Sequence, residues 1–335
     1  MQLTLVLPRL LARRTDGTSA AHAPALAHLL AIAGPPARED GGTAAALAAR
    51  HGVIRQTDWP LAPIRLAALG VDPAAAYWLA ADPVTLSVGR ADVQLAGVVV
   101  DLGRADADAL VATLNAHFAD DGLAFVAPRP DALFVRVATA IRLSTHPPEA
   151  ALGRPLRALL PHGPDAGAWL RWHSEIEMLL HEHPVNVERE RTGFALANSL
   201  WFSGGGILPP RPSPAHSIRT YATSGIATAL AKYTGSPLRP LPSRLHDALG
   251  EAGSAESIVV ALDDAHDVPA IERAWAAPAR DALAAGSLQA VTLLCDDAGD
   301  AIVWHARRPG LWQRLAGGFA RHDLAGLLGA ADRDR

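Results

Sequence analysis

The sequence is poor in lysine, cysteine and aromatic residues. Lys232 is the only lysine, Cys295 is the only cysteine, and aromatic residues make up 5% of the chain. A single cysteine excludes an internal disulfide and favours a reducing compartment, so we expect a cytoplasmic protein. Arginine carries nearly all the positive charge, and the formal net charge is −4. This balance excludes the broad basic surface that nucleic acid or anionic lipid would need.

The chain also lacks long apolar runs. None reaches the roughly 18–20 residues needed to cross a bilayer. Residues 1–11 are apolar but contain Pro8 and Arg9 and precede Arg13 and Arg14, an order opposite to that of a secretory signal. Hydrophobic residues make up 50% of the chain and charged residues 19%, a balance typical of globular proteins. The sequence therefore predicts a soluble protein with neither a membrane nor a nucleic-acid partner.

Strand and helix patterns alternate at the two ends of the chain. The strand patterns are residues 3–7, 257–262, 290–295 and 301–305, and the clearest helical pattern between them is residues 268–284. Strands that alternate with helices are typical of a parallel sheet covered by helices. We therefore expect an α/β domain with a doubly wound, mostly parallel sheet, formed by residues 1–80 and 211–335.

The middle of the chain has a different pattern. Short alternating segments occur within residues 84–100 and 123–137, and a helical segment, 105–117, lies between them. Antiparallel sheets commonly show this alternation because one face is buried and the other is solvated. Residues 81–210 are therefore predicted to form a smaller α+β insert domain.

The insert ends in a motif rich in polar side chains and glycine, residues 183–206, which we call the junction motif. It contains Asn186, Arg189, Arg191 and Asn198, followed by three consecutive glycines centred on Gly205. Arginine forks and amide donors beside a glycine backbone predict a pocket for a small phosphate or carboxylate anion. The alternative is a structural junction in which the same side chains bind backbone carbonyls, and the two roles are compatible.

The motifs of this region resemble those of a known enzyme family. They lie at residues 69–73, 121–136, 152–161 and 183–206. They resemble the archaeal-type cofactor-independent phosphoglycerate mutases of the alkaline phosphatase superfamily. Tyr77-Trp78-Leu79, the segment 81–84 and the segment 198–201 are similar to a bacterial subfamily of RpfE-type regulatory, or phosphoglycerate mutase-like, proteins.

The resemblance implies a two-metal site with an aspartate after the first strand, a serine or threonine nucleophile, and late Asp and His ligands. In this sequence Pro8 and Arg9 follow the first strand. A fixed guanidinium cation cannot replace a carboxylate ligand. Thr15, Thr18 and Ser19 lack the family context of the nucleophile. These departures favour loss of phosphotransfer.

Three groups of residues remain as weak metal candidates. They are Asp263, His266 and Asp267; Asp296 and Asp297; and His173, Glu177 and His181 on one helical face. Carboxylates and imidazoles are suitable ligands for metals such as Mn or Zn. The favoured alternatives are a helix cap at Asp267, a hairpin turn at residues 297–300 and a solvent-exposed helix face. We expect no metal or other cofactor unless the protein is an active enzyme.

Three hypotheses about function follow. The leading one is a catalytically degenerate phosphoglycerate mutase-like protein that acts as a regulatory protein or binds a small phosphorylated or carboxylate ligand. The second is an active metal-dependent phosphoglycerate mutase, an isomerase, or a phosphomonoesterase with relocated ligands. The third is a structural protein-interaction module, for which the sequence indicates no particular protein partner.

Overall fold

The computed structural model describes residues 1–11, 23–89, 92–152, 154, 156–212, 217–251, 256–262, 267–297 and 299–308. The chain forms two compact units, one made of Met1–Gly52 with Pro212–Arg335 and the other of Val53–Arg211. The second unit therefore begins at Val53, whereas the sequence pattern predicts that the insert begins at residue 81. The reason is that the helix Leu61–Ala68 packs on strands of the second unit.

The elements are numbered along the chain. The strands are β1 (Gln2–Val6), β2 (Ala37–Asp40), β3 (Tyr77–Val88), β4 (Val93–Val98), β5 (Leu123–Arg129), β6 (Ala132–Val137), β7 (Ser199–Ile207), β8 (Ile218–Tyr221), β9 (Leu238–Arg239), β10 (Ser257–Ala261), β11 (Ala290–Asp297) and β12 (Asp300–Arg307). The helices are α1 (Pro24–Ala33), α2 (Gly42–Arg50), α3 (Leu61–Ala68), α4 (Arg104–His117), α5 (Pro148–Ala151), α6 (Ala166–His181), α7 (Pro184–Thr192), α8 (Gly225–Thr234), α9 (Leu245–Glu251), α10 (Val268–Ile271) and α11 (Ala277–Ala285). A π-helical turn, Glu272–Ala276, joins α10 to α11. Within the described ranges no helix combines the length and hydropathy needed to cross a bilayer.

The first unit contains a seven-stranded sheet in the order β2-β12-β11-β1-β10-β8-β9. The strands β11, β1, β10, β8 and β9 run parallel, β12 is antiparallel to β11, and β2 is antiparallel to β12. Leu3 and Leu5 of β1 are fully buried in one apolar cluster with α1 and Trp275. The predicted mixed α/β fold is therefore confirmed.

The second unit contains an antiparallel sheet built around the long strand β3. Strand β7 pairs with β3 along one edge, while β6 and β4 share the other edge and β5 pairs with β6. Leu114 of α4 and Ile176 of α6 share one apolar cluster with Leu79 of β3, and Leu66 of α3 shares another with Trp78. Since Trp78 and Leu79 are consecutive, these helices cover opposite faces of the sheet.

The three glycines of the junction motif lie in β7, where the start of α3 comes very close to the strand. A Cβ atom at Gly206 would lie 2.6 Å from the Cβ of Pro60 and 2.9 Å from Oε1 of Gln56. A Cβ atom at Gly205 would collide with the hydroxyl of Tyr77. Close packing therefore explains why these positions are glycine, since any side chain there would push β7 away from its neighbours.

We predict that Gly206→Ala lowers the free energy of unfolding by about 1–3 kcal/mol, because the added methyl overpacks a filled interface. Urea denaturation of both proteins measures this difference. Gly97→Ala in β4 is the matched control, because a Cβ atom there meets no atom within 4 Å. Equal unfolding midpoints for Gly206→Ala and Gly97→Ala would contradict the packing explanation.

Candidate functional site

The carboxyl ends of the parallel strands in the first unit are the place where open α/β sheets bind ligands. Strand β1 ends at Val6, and the chain continues past it to Pro8, whose carbonyl accepts a hydrogen bond from the N–H of Asp296 at 3.1 Å. Arg9 is exposed at this edge. A proline, a cation and the end of β11 therefore lie where the family resemblance implies a metal-binding aspartate.

Helix α2 begins at the same edge, directly after β2. Its start is formed by Gly41 and Gly42, whose φ angles of 92° and 74° lie in the left-handed region. The next residue, Thr43, is buried and donates to both carboxylate oxygens of Asp296, from its N–H at 2.6 Å and from its hydroxyl at 2.9 Å. Backbone donors and the helix dipole favour an anion at a helix N-terminus. In this protein that anion is the protein's own carboxylate.

Asp297 makes a different contact at the same edge. Its carboxylate lies 3.0 Å from Nη2 of Arg38, and Nη1 of the same arginine lies 3.4 Å from Asp300. Arg38 belongs to β2 and therefore holds the β11–β12 turn against the neighbouring edge strand. A guanidinium beside Asp297 disfavours a second cation there.

Only some of the metal candidates predicted for this edge lie within the described residues. Asp263 and His266, and also Thr15, Thr18 and Ser19, lie outside the described residues. Asp267 is the N-cap residue of α10, as predicted, although its side chain makes no capping hydrogen bond. In the part of the chain that the structure describes, no three His, Cys, Asp or Glu side chains converge to hold a metal ion.

The third metal candidate lies on α6. Nδ1 of His173 is 3.4 Å from Oε1 of Glu177, and its Nε2 faces the carbonyl of Leu200 at 3.1 Å. Ser199 is fully buried beside this histidine, with its hydroxyl 3.3 Å from Nε2. Burial lowers the pKa of His173. On this helix face His173 is therefore buried, Glu177 is partly exposed, and His181 is exposed.

The two asparagines of the junction motif bind backbone groups. Asn186 accepts from the N–H of Ala197 at 2.9 Å and donates to its carbonyl at 3.0 Å. Asn198 does the same with Leu86, at 2.7 Å and 2.9 Å. Each amide therefore replaces a missing peptide partner, and Asn198 extends the β3–β7 pairing beyond the start of β7.

The two arginines of the motif also have partners within the protein. Arg189 is buried, donates to the carbonyl of Ala195 at 2.7 Å, and forms an ion pair with Asp101. Arg191 is exposed and binds Glu188 with contacts of 2.8 Å and 2.6 Å. These contacts are those expected of a structural junction. The anion pocket at Asn186, Arg189, Arg191, Asn198 and Gly205 stays a prediction.

A buried carboxylate that the sequence did not single out lies near the same glycines. Asp58 accepts hydrogen bonds from the hydroxyl and N–H of Thr145 and from the N–H groups of Trp59 and Gly205. Burial raises the pKa of Asp58, and these hydrogen bonds offset part of the effect. The buried hydroxyl of Tyr77 has no hydrogen-bond partner within the described residues, and its pKa is raised by burial and then by the charge of Asp58. No motif or spacing marks Asp58, so the sequence could not indicate it.

Comparison with known proteins gives one local sequence similarity and several distant structural ones. No family model matches the chain. The chain is 38% identical over 66 residues to a 2,3-bisphosphoglycerate-independent phosphoglycerate mutase of Methanothrix thermoacetophila, a match that covers 20% of this chain and 17% of that protein. The cofactor-independent phosphoglycerate mutase from Thermoplasma acidophilum aligns with a TM-score of 0.43 and 14% identity, over 99% of this chain and 98% of that one. A protein from Pyrococcus horikoshii aligns with a TM-score of 0.41 and 14% identity, over 100% of this chain and 98% of that one.

The histidines of both units predict an acid-sensitive fold. Burial lowers the pKa values of His51, His173, His183 and His305 below 6.5. The unfolded chain therefore binds more protons than the folded one just below pH 6.5, and stability falls as the pH decreases through this range. His183 adds a direct reason, because its Nδ1 accepts the N–H of Val185 at the start of α7 and protonation would remove that acceptor.

We predict that His183→Asn reduces this loss of stability on acidification, because asparagine retains a capping acceptor without a titrating group. The measurement is the free energy of unfolding from urea curves between about pH 5 and 7, where an unperturbed histidine titrates. His246→Asn, at a side chain that is 89% exposed, serves as the control and should keep the wild-type slope. An unchanged slope in His183→Asn would show that this cap does not contribute.

Proposed function

We propose that this protein is a catalytically degenerate relative of the cofactor-independent phosphoglycerate mutases. It keeps a doubly wound scaffold of the alkaline phosphatase type and acts in the cytoplasm as a regulatory or small-anion-binding protein. The local similarity to a 2,3-bisphosphoglycerate-independent phosphoglycerate mutase supports the relationship. The motifs of the junction region and their similarity to RpfE-type proteins support the regulatory role.

The contact between Asp296 and Thr43 is the observation that carries the proposal. The carboxylate accepts the N–H and the hydroxyl of Thr43 at the start of α2. A phosphoryl group brought to this helix terminus would need the same donors and would meet a carboxylate of like charge. Substrate phosphate and Asp296 therefore compete for one position.

The cations around this edge support the same conclusion. Arg9 follows β1 where a ligand carboxylate is required, and Arg38 binds Asp297. A two-metal centre holds its ions with several carboxylate or imidazole ligands, and it places them where they stabilise phosphoryl charge. Thus the described residues of the first unit do not fit such a centre.

A structural protein-interaction module remains the second candidate. The observation that favours it is the internal pairing of the junction side chains, because Asn186, Asn198 and Arg189 all bind groups of the protein itself. On this alternative the motif only builds the second unit, and small anions do not bind at the motif.

We predict no turnover above background when the purified protein is incubated with manganese and either 3-phosphoglycerate or p-nitrophenyl phosphate. The physical reason is that the described residues near the hydroxyl of Thr43 do not form a group of ligands for two metal ions. Product 2-phosphoglycerate and released nitrophenolate are the quantities measured. The proposal fails if turnover occurs and is abolished by Asp263→Ala but retained by Asp108→Ala, a change at an aspartate of the exposed Arg104–Asp108 pair.

A further inference from the structure

A groove at one edge of the first unit contains two arginines that form no ion pair with any carboxylate of the described residues. It lies between β8, the edge strand β9 and the end of α9, and has a volume of about 570 Å³. The residues that line it are Arg219, Arg239, Pro240, Leu241, Pro242 and Glu251. The volume is within the range of small-molecule sites.

Arg219 is held in place and has donor capacity to spare. It lies half-buried in β8, and its Nη1 donates to the backbone carbonyl of Glu251 at 2.6 Å, at the end of α9. This contact and a side-chain hydrogen bond with Tyr221 hold the guanidinium at the groove. Its Nε–H is buried and has no hydrogen-bond partner within the described ranges. Buried donors without a partner are uncommon in folded proteins, and one explanation is a ligand that supplies the acceptor.

Arg239 provides a second positive charge at the same groove. Its side chain is exposed, and its Nη1 makes a 3.3 Å contact with the carbonyl of the preceding residue, Leu238. Among the residues that the structure describes, no carboxylate lies within ion-pair distance of Arg219 or Arg239. The side chain of Glu251 also borders the groove, and its negative charge leaves the lining with a net charge of +1.

The apolar part of the lining is conformationally restricted and offers few hydrogen-bond donors. Pro240 and Pro242 have fixed φ angles and no N–H, and Leu241 between them is half-buried. A preorganised wall lowers the entropy lost when a ligand binds. Apolar walls with a few polar or charged groups are typical of sites that bind small molecules.

We propose that this groove binds a small organic anion through a carboxylate or phosphate group held by Arg219 and Arg239. A guanidinium fork matches the planar or tetrahedral oxygens of either group. The site is separate from the carboxyl edge near Asp296 and from the junction motif. The inference does not depend on the proposed loss of catalysis, because an active enzyme with the same groove would bind the same anions.

Isothermal titration calorimetry at fixed ionic strength tests the proposal, with inorganic phosphate and succinate as the probes. We expect at least one probe to bind. The probe with the higher affinity identifies phosphate or carboxylate as the recognised group. Arg239→Gln should weaken that binding by about tenfold, since it removes a charged hydrogen-bond donor. Arg244→Gln, at an exposed arginine that contacts Asp247, is the matched control and should leave the affinity unchanged.

Two results would overturn the proposal. The first is the absence of binding by either probe to the unmodified protein. The second is binding that survives Arg239→Gln unchanged, and a loss of that binding in Arg191→Gln would then place the anion at the junction motif. Arg239 and Arg191 are both exposed, so neither change should unfold the protein, and equal thermal midpoints of the variants verify this.

Discussion

The hydrogen-bonded contact between Asp296 and the N-terminus of α2 is the constraint on which the first unit depends. The carboxylate joins the end of β11 to α2, and the N–H of the same residue joins β11 to Pro8 beyond β1. Three elements that are distant in the sequence therefore meet at one edge of the sheet. The helix terminus, a natural position for a phosphate, is stabilised by an internal anion.

The second unit shows how side chains that look functional can serve the backbone. Asn115, Asn186, Asn198 and Gln56 each bind both the N–H and the C=O of a single residue, namely Phe125, Ala197, Leu86 and Ile207. A side-chain amide carries the same donor and acceptor as a peptide group, so it can satisfy backbone left unpaired at a strand edge or loop. A polar cluster in the sequence is therefore weak evidence for a ligand.

The sequence predicts the apolar elements well and the contacts between distant residues poorly. Strands β1, β10 and β11 and helix α4 follow from their sequence patterns. Strand β2 has the polar sequence Ala37-Arg38-Glu39-Asp40, and its place at the sheet edge, where little is buried, leaves no pattern to detect. Strand β3 continues through Pro83, which normally interrupts a strand. The contact between Thr43 and Asp296 spans 253 residues, so no local spacing reveals it.

The central proposal is that the described residues of this scaffold do not provide the two-metal centre that phosphotransfer would need. Elemental analysis of the protein after equilibration with manganese and removal of free metal tests it most directly. The account predicts metal far below one ion per chain, both in the unmodified protein and after Asp296→Ala. Two ions per chain in the unmodified protein, lost on Asp296→Ala, would contradict it.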